Sequence, residues 1–275
     1  MIDVLREHIS KVLPSHRQNA LREYLQWLLL QAMDDGGYRR HLAFTGGTCL
    51  RLIFKTRRFS EDLDFSLTHR RGYDTFALQE TLLQRIRRLG MRAEGSPVKD
   101  NKIVTSFFIH FEELLYLLNL SPQKTQKLSI KIEVDKNPPT GAKVEEFLFQ
   151  DPVPFLVNHL DLPSLFATKL HAFLFRRYDK GRDYYDLFFF LGRRVMPSLK
   201  LFQMAVRQTH PELIFSTYSD LFDAVRRKLE GMNQKAVLRD VAPFLLLKSE
   251  ERFLTKPILL KALDQFQSNF NLIPI

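Results

Sequence analysis

Residues 44–67 read FTGGTCLRLIFKTRRFSEDLDFSL, a Gly-Gly pair ahead of a short helix and an Asp-X-Asp pair on the segment that follows. In an extended strand successive side chains alternate faces, so Asp62, Asp64 and Ser66 share one face while Leu63, Phe65 and Leu67 point into a core. Two carboxylates on one face repel, which raises the pKa of one of them unless a cation offsets both charges. Oxygen ligands of this kind suit magnesium or manganese. A lone Asp-X-Asp is more often the solvated end of a strand, and the glycines upstream shift that balance. Gly46 and Gly47 permit a sharp turn and close approach to a ligand, and from Thr48 the chain reads as a helix, with Leu50, Ile53 and Phe54 at apolar spacing. A helix start through Gly46, Gly47 and Thr48 offers its amides to an anion. Glycine turn, helix and Asp-X-Asp in that order form the layout of a metal-dependent nucleotidyl transfer site. The glycine turn would cradle a nucleoside triphosphate, and Asp62 and Asp64 would hold the metal.

The bulk numbers are compatible with such an enzyme. A chain of 275 residues, 45% hydrophobic and 26% charged, can bury one good core or two modest ones. Its longest apolar clusters, residues 24–32 and 187–191, are too short to span a bilayer, so no membrane partner is expected. Asp3, Arg6 and Glu7 interrupt the N-terminal residues, no secretory signal is visible, and a cytoplasmic location is the expectation. The one cysteine, Cys49, excludes an intrachain disulfide and reads as packing in the glycine-turn helix. His8, His16, His110, His159, His171 and His210 show no zinc-ligand spacing. The net charge of +10 points to a polyanionic partner, nucleic acid being the usual one. Basic residues gather at 39–41, at Lys55 with Arg57 and Arg58, at 69–71, at Arg85 with Arg87 and Arg88, at 176–177 and at 193–194. Several flank the glycine and aspartate motif, which suggests a phosphate-binding rim; the alternative is a solvated surface.

Working outward, Ser15 and Gln18 suggest a capping box that opens a helix running to Gly36-Gly37. Leu42–Phe44 reads as a strand, and Tyr73–Leu89 as a helix stopped by Gly90. Ile103, Thr105, Phe107, Ile109 and Phe111 share one strand face, and Leu128, Ile130, Ile132 and Val134 share another. The second strand leaves Ser129, Lys131, Glu133 and Asp135 on its polar face, and pairing beside the Asp-X-Asp strand would make Glu133 a third metal ligand; Asp135 is a weaker claimant. From Pro163 the chain turns helical: Leu165–Arg177, then the segment KGRDYYDLFFFL, where Asp183 and Asp186 share a face, then stretches at 197–209, 211–230, 233–247 and 251–268. The domain boundary is placed near residue 160. Trp27 reads as packing on the helix before the core.

FTGGTCLRL with RRFSEDLDFSL, together with KLHAFLFRRYDKGRDYYDL, resembles the signatures of the AbiEii/AbiGii (MenT-type) family of nucleotidyltransferase toxins across roughly residues 40–195. The resemblance implies an α+β fold: a polymerase-beta-like minimal nucleotidyltransferase domain, a mixed sheet flanked by helices, over 1–160, with a helical C-terminal lobe over 161–275 that contributes Lys169 and Asp183 to the site. It carries nucleotide and metal binding onto Gly46, Gly47, Ser60, Asp62 and Asp64. It sets Lys169 against the nucleotide phosphates and gives Asp183 a role in deprotonating the acceptor hydroxyl. Ser60 could equally be a local hydrogen-bonding residue, Arg182 is a second phosphate contact or a salt-bridge partner, and Asp186 a catalyst or a buried ion-pair residue. The implied activity is transfer of a nucleotide from a nucleoside triphosphate to an RNA acceptor such as the tRNA 3′ end, with Mg²⁺ or Mn²⁺, in a toxin neutralised by a cognate antitoxin protein. A transferase acting on a protein or small-molecule hydroxyl, and an inactive nucleic-acid-binding module of the same fold, remain as alternatives.

Overall fold

A computed structural model describes residues 1–151 and 153–271; residues 152 and 272–275, which the expected spans 1–160 and 161–275 include, lie outside the described residues. The chain divides into two compact units, one of Met1–Lys55, Phe59–Pro138 and Val144–His159, the other of Thr56–Arg58, Pro139–Lys143 and the residues from Leu160 onward.

The first unit opens with helices α1 (Ile2–Ser10) and α2 (Arg17–Asp35). Strand β1 (Leu42–Thr45) then runs straight into α3 (Gly46–Leu52), followed by β2 (Leu63–Leu67) and α4 (Thr75–Arg88). Strands β3 (Ala93–Gly95), β4 (Lys99–Asp100) and β5 (Val104–Phe111), the short α5 (Leu114–Leu117), then β6 (Leu128–Asp135), β7 (Val144–Phe149) and β8 (Phe155–Leu160) complete it. Together they make one mixed sheet in the order β3-β5-β6-β2-β1-β8-β7, with β4 beside β5. At its centre β2 runs antiparallel to β1 and parallel to β6, and β6 is antiparallel to β5.

Alternation explains which face of the sheet is covered. On β6, Leu128, Ile130, Ile132 and Val134 are buried, and Ser129, Lys131, Glu133 and Asp135 between them are only half-buried. β5 follows the same rule, burying Thr105, Phe107, Ile109 and Phe111. Each such aliphatic or aromatic side chain contributes about 1.5–3 kcal/mol when fully buried. Ile103, expected to start this face, is exposed and precedes the strand, because the Asn101 side chain accepts the amides of Ile103 and Val104 at 2.9 and 2.6 Å and holds them in a turn. Helices α2 and α4 pack on each other and on this sheet.

Local chemistry moves several boundaries. The Ser15–Gln18 capping box does not form: residues Pro14–His16 make a 3-10 turn and His16 takes the N-cap without a side-chain bond. The helix expected from Thr48 begins at Gly46 and ends at Leu52, leaving Phe54 outside it. Helix α4 starts after Asp74, whose carboxylate accepts the amides of Phe76 at 2.7 Å and Ala77 at 3.2 Å. α1, β3, β4, α5, β7 and β8 have no counterpart among the expected elements. β7 buries only Phe149, so it lacks the alternation that marks β5 and β6.

The second unit contains α6 (Leu162–Phe175), α7 (Gly181–Arg193), α8 (Leu199–Thr209), α9 (Tyr218–Glu230), α10 (Gln234–Val241) and α11 (Lys256–Asn269). The expected stretch 211–230 is helical only from Tyr218, where Thr217 and Asp220 form a capping box. α6 packs against α7 and α8, and α7 against α10 and α11. Among the described residues no helix is long and apolar enough to cross a membrane.

Candidate active site

In the first unit, parallel pairing of β2 with β6 sets Asp64 directly beside Glu133, and antiparallel pairing sets Asp64 beside Thr45 and Glu133 beside Ser106. Register partners on adjacent strands share a face. Thr45, Asp64, Glu133 and Ser106 therefore form one polar row across the sheet, and Asp62 lies two residues from Asp64, just before β2 begins.

Gly46 leads into this row. Its φ of +75° is in the left-handed region that favours glycine, and a Cβ built on it would lie 2.2 Å from Asp64 Oδ2. A side chain there would force the carboxylate or the turn to shift, so its absence is what lets the backbone approach the carboxylate. The start of α3 then holds the segment before β2: the buried Thr48 hydroxyl donates to the Asp62 carbonyl. From α2 the buried Gln26 amide donates to the Ser60 carbonyl at 3.1 Å. Ser60 and Thr48 thus both belong to the scaffold that fixes the Asp62 backbone, Thr48 through its hydroxyl and Ser60 through its carbonyl.

One cation acting on these carboxylates is Lys131, two residues from Glu133 on the same face of β6. Its ammonium bonds the Glu133 carboxylate. Burial works against the charged lysine, but the bond to Glu133 and the charges of Glu133, Asp62 and Asp64 outweigh it and push its pKa above the ordinary lysine value. Among the described residues no three carboxylate, imidazole or thiolate groups stand ready around a metal position. The donor set is all hard oxygen, and a positive charge is already stabilised beside Glu133. In donor chemistry Asp62, Asp64 and Glu133 are of the kind that magnesium or manganese prefers. Asp135, two residues from Glu133 on β6, is bound to its own turn by the Asn137 amide at 2.8 Å, and burial raises its pKa.

The second unit assembles the other signature around a buried ion pair. Arg58 grips Asp186 with both arms of its guanidinium, Nε to Oδ1 at 2.7 Å and Nη2 to Oδ2 at 2.6 Å, and Lys169 Nζ meets the same Oδ2 at 2.8 Å. The Asp186 side chain is 0% exposed, that of Arg58 2% and that of Lys169 17%. Burial alone would raise the Asp186 pKa, yet the two cations hold it below the usual carboxylate range. Asp183, one turn earlier on α7, is buried and pairs with Arg176 at 3.3 Å. The Arg182 guanidinium lies 4.2 Å from the centre of the Phe244 ring. Of the open alternatives, Asp186 has a buried ion pair, and Lys169 is engaged by it. Gly181 is required by packing, since a Cβ there would meet the Val237 carbonyl at 2.1 Å.

Two residues escaped the sequence reading. Lys131 was visible by its period-two spacing from Glu133, but a lysine on a polar strand face carries no signal of what it faces. Arg58 was counted with Lys55 and Arg57 as a surface basic cluster, and it is instead fully buried. No local pattern distinguishes it from its neighbour Arg57, because its partner lies 128 residues away.

A family model described as "Nucleotidyl transferase AbiEii toxin, Type IV TA system" matches residues 27–263. No curated protein matches the chain. Among solved structures, a protein from H. pylori provisionally called a nucleotidyltransferase aligns with a TM-score of 0.56 at 18% identity, over 92% of this chain and 96% of that one. JHP933 from Helicobacter pylori aligns with a TM-score of 0.53 at 16% identity, over 92% and 95%. At such identities the structural likeness is one of fold.

Proposed function

The chain belongs to the AbiEii family of nucleotidyl transferase toxins and is a nucleotidyltransferase, and on that footing we propose that it transfers a nucleotide to an RNA acceptor, such as the tRNA 3′ end, with the help of a divalent cation. Family membership implies a nucleoside triphosphate substrate and an antitoxin partner. The observation that carries the proposed site is the register of Asp64 beside Glu133, with Gly46 stripped of a side chain against Asp64.

Asp62, Asp64 and Glu133 are the proposed metal ligands. Bound there, magnesium or manganese supplies neutralising charge for the triphosphate and the leaving pyrophosphate. Gly46 and Gly47 let the backbone come close to the nucleotide, and Thr48 and Gln26 keep the Asp62 segment in place. Lys169 is proposed to serve the phosphates, with Arg58 and Asp186 fixing its position, and Arg182 to add a second positive charge. Asp183 is proposed to accept the proton of the attacking hydroxyl. The protein's contribution is then chiefly alignment and preorganised charge. The excess of 41 Lys and Arg over 31 Asp and Glu supports a polyanionic acceptor.

Expression of the wild-type chain and of Asp64→Asn in growing cells, followed by labelling of extracted RNA with each of the four nucleoside triphosphates, tests the proposal. Toxicity together with a labelled RNA, both lost in the variant, is expected. Labelling of a protein or a metabolite with RNA untouched would replace the acceptor. RNA binding without any product would make the chain a binding module.

A further inference from the structure

We infer that Lys131 is a built-in counter-ion: in the cation-free protein it neutralises the acidic row of the first unit, and a divalent cation must displace it to bind there. The inference rests on the proposed metal role of Asp62, Asp64 and Glu133. Its geometry is independent of that role. Lys131 and Glu133 stand two apart on β6, so both side chains rise from one face of the sheet. The ammonium bonds the Glu133 carboxylate and is acted on by the charges of Asp62 and Asp64. Across the β5–β6 ladder its register partner is Phe108, whose ring stacks on His110 with centroids 5.7 Å apart. Phe108 carries no charge, and the contact the structure shows for the ammonium is the Glu133 carboxylate.

Three carboxylates brought together repel one another unless positive charge stands among them. A lysine is suited to prevent this, being a compact charge on a flexible four-carbon stem that can be withdrawn. Lys131 and a divalent cation then compete for the same oxygens, and one must leave when the other arrives. The wild-type protein should accordingly bind free metal weakly. Metal delivered on a triphosphate carries further contacts of its own and can overcome the competition.

Calorimetric titration of Mn²⁺ into the full chain tests this, using Lys131→Met, which keeps the apolar stem, Lys131→Arg, which keeps the charge, and Asp64→Asn. Lys131→Met is expected to bind Mn²⁺ roughly tenfold or more tightly than wild type, since a charge of the same sign has been taken from beside the site. Lys131→Arg should remain near wild type. In thermal melts, Mn²⁺ should raise the Tm of Lys131→Met more than that of wild type, a shift that a purely structural role of the lysine would not produce. Affinity in Lys131→Met equal to or weaker than wild type, with Asp64→Asn abolishing binding, would overturn the inference and leave the metal site standing. Absence of any Mn²⁺ binding that depends on Asp64 would remove the metal site and the inference together.

Discussion

Gly46 is the residue on which the candidate site is most tightly constrained. Gly46→Ala places a methyl group 2.2 Å from Asp64 Oδ2 on a backbone at φ +75°, so either the carboxylate or the turn must shift. We expect loss of at least about 1–3 kcal/mol of stability, in the range of other overpacked sites, and a larger proportional loss of transferase activity; a urea melt alongside a turnover assay checks both. Asp186 makes a different kind of prediction. Asp186→Asn takes the neutralising carboxylate from the buried Arg58 and should cost about 3–5 kcal/mol, read from the denaturation midpoint. Because its folded pKa is depressed, the stability it contributes is complete above the unfolded carboxylate value of about 3.9 and is lost as pH falls through the lower folded value. Unfolding midpoints measured down through that range should show wild type losing a component that Asp186→Asn lacks. The shared face of Asp64 and Glu133 was legible in the sequence because strand periodicity assigns it, whereas Asp62 lies just before β2. Arg58 was not legible, since a buried guanidinium is marked only by its distant carboxylate.

Between elements, close backbone approach does the work that glycine signals in sequence. A methyl group at Gly181 would meet the Val237 carbonyl at 2.1 Å, so Gly181→Ala must push α7 away from α10. The expected result is a destabilisation of about 1–3 kcal/mol, the typical cost of forcing an extra methyl into packed structure; chemical denaturation of the purified variant measures it. β5 and β6 could be read because each has one covered and one open face, and the pairing of β6 with β2 brought Glu133 beside Asp64. β7 could not be read because only Phe149 among its residues is buried. α1 was hidden for a related reason: Asp3, Arg6 and Glu7 surround the two buried residues, Leu5 and Ile9. The capping box at Ser15 failed because Pro14 fits a 3-10 turn that absorbs the serine.

For the whole molecule the governing quantity is charge. A chain with net charge +10 that holds RNA through phosphate contacts releases counterions on binding, so affinity should fall by about tenfold or more between 50 and 200 mM salt. Fluorescence anisotropy with a labelled RNA gives the slope, and a flat salt response would remove RNA as the acceptor. Composition could indicate a polyanionic partner but not which one, because every polyanion presents the same sign of charge. The reaction itself is tested most directly by following the label. Purified protein is incubated with Mg²⁺ or Mn²⁺, RNA, and a nucleoside triphosphate labelled at either the α or the γ phosphorus, with folded Asp64→Asn in parallel. Nucleotidyl transfer predicts that α label enters the acceptor, that γ label leaves in pyrophosphate, and that the variant does neither. Transfer of γ label, or α-label transfer that persists in Asp64→Asn, would contradict it.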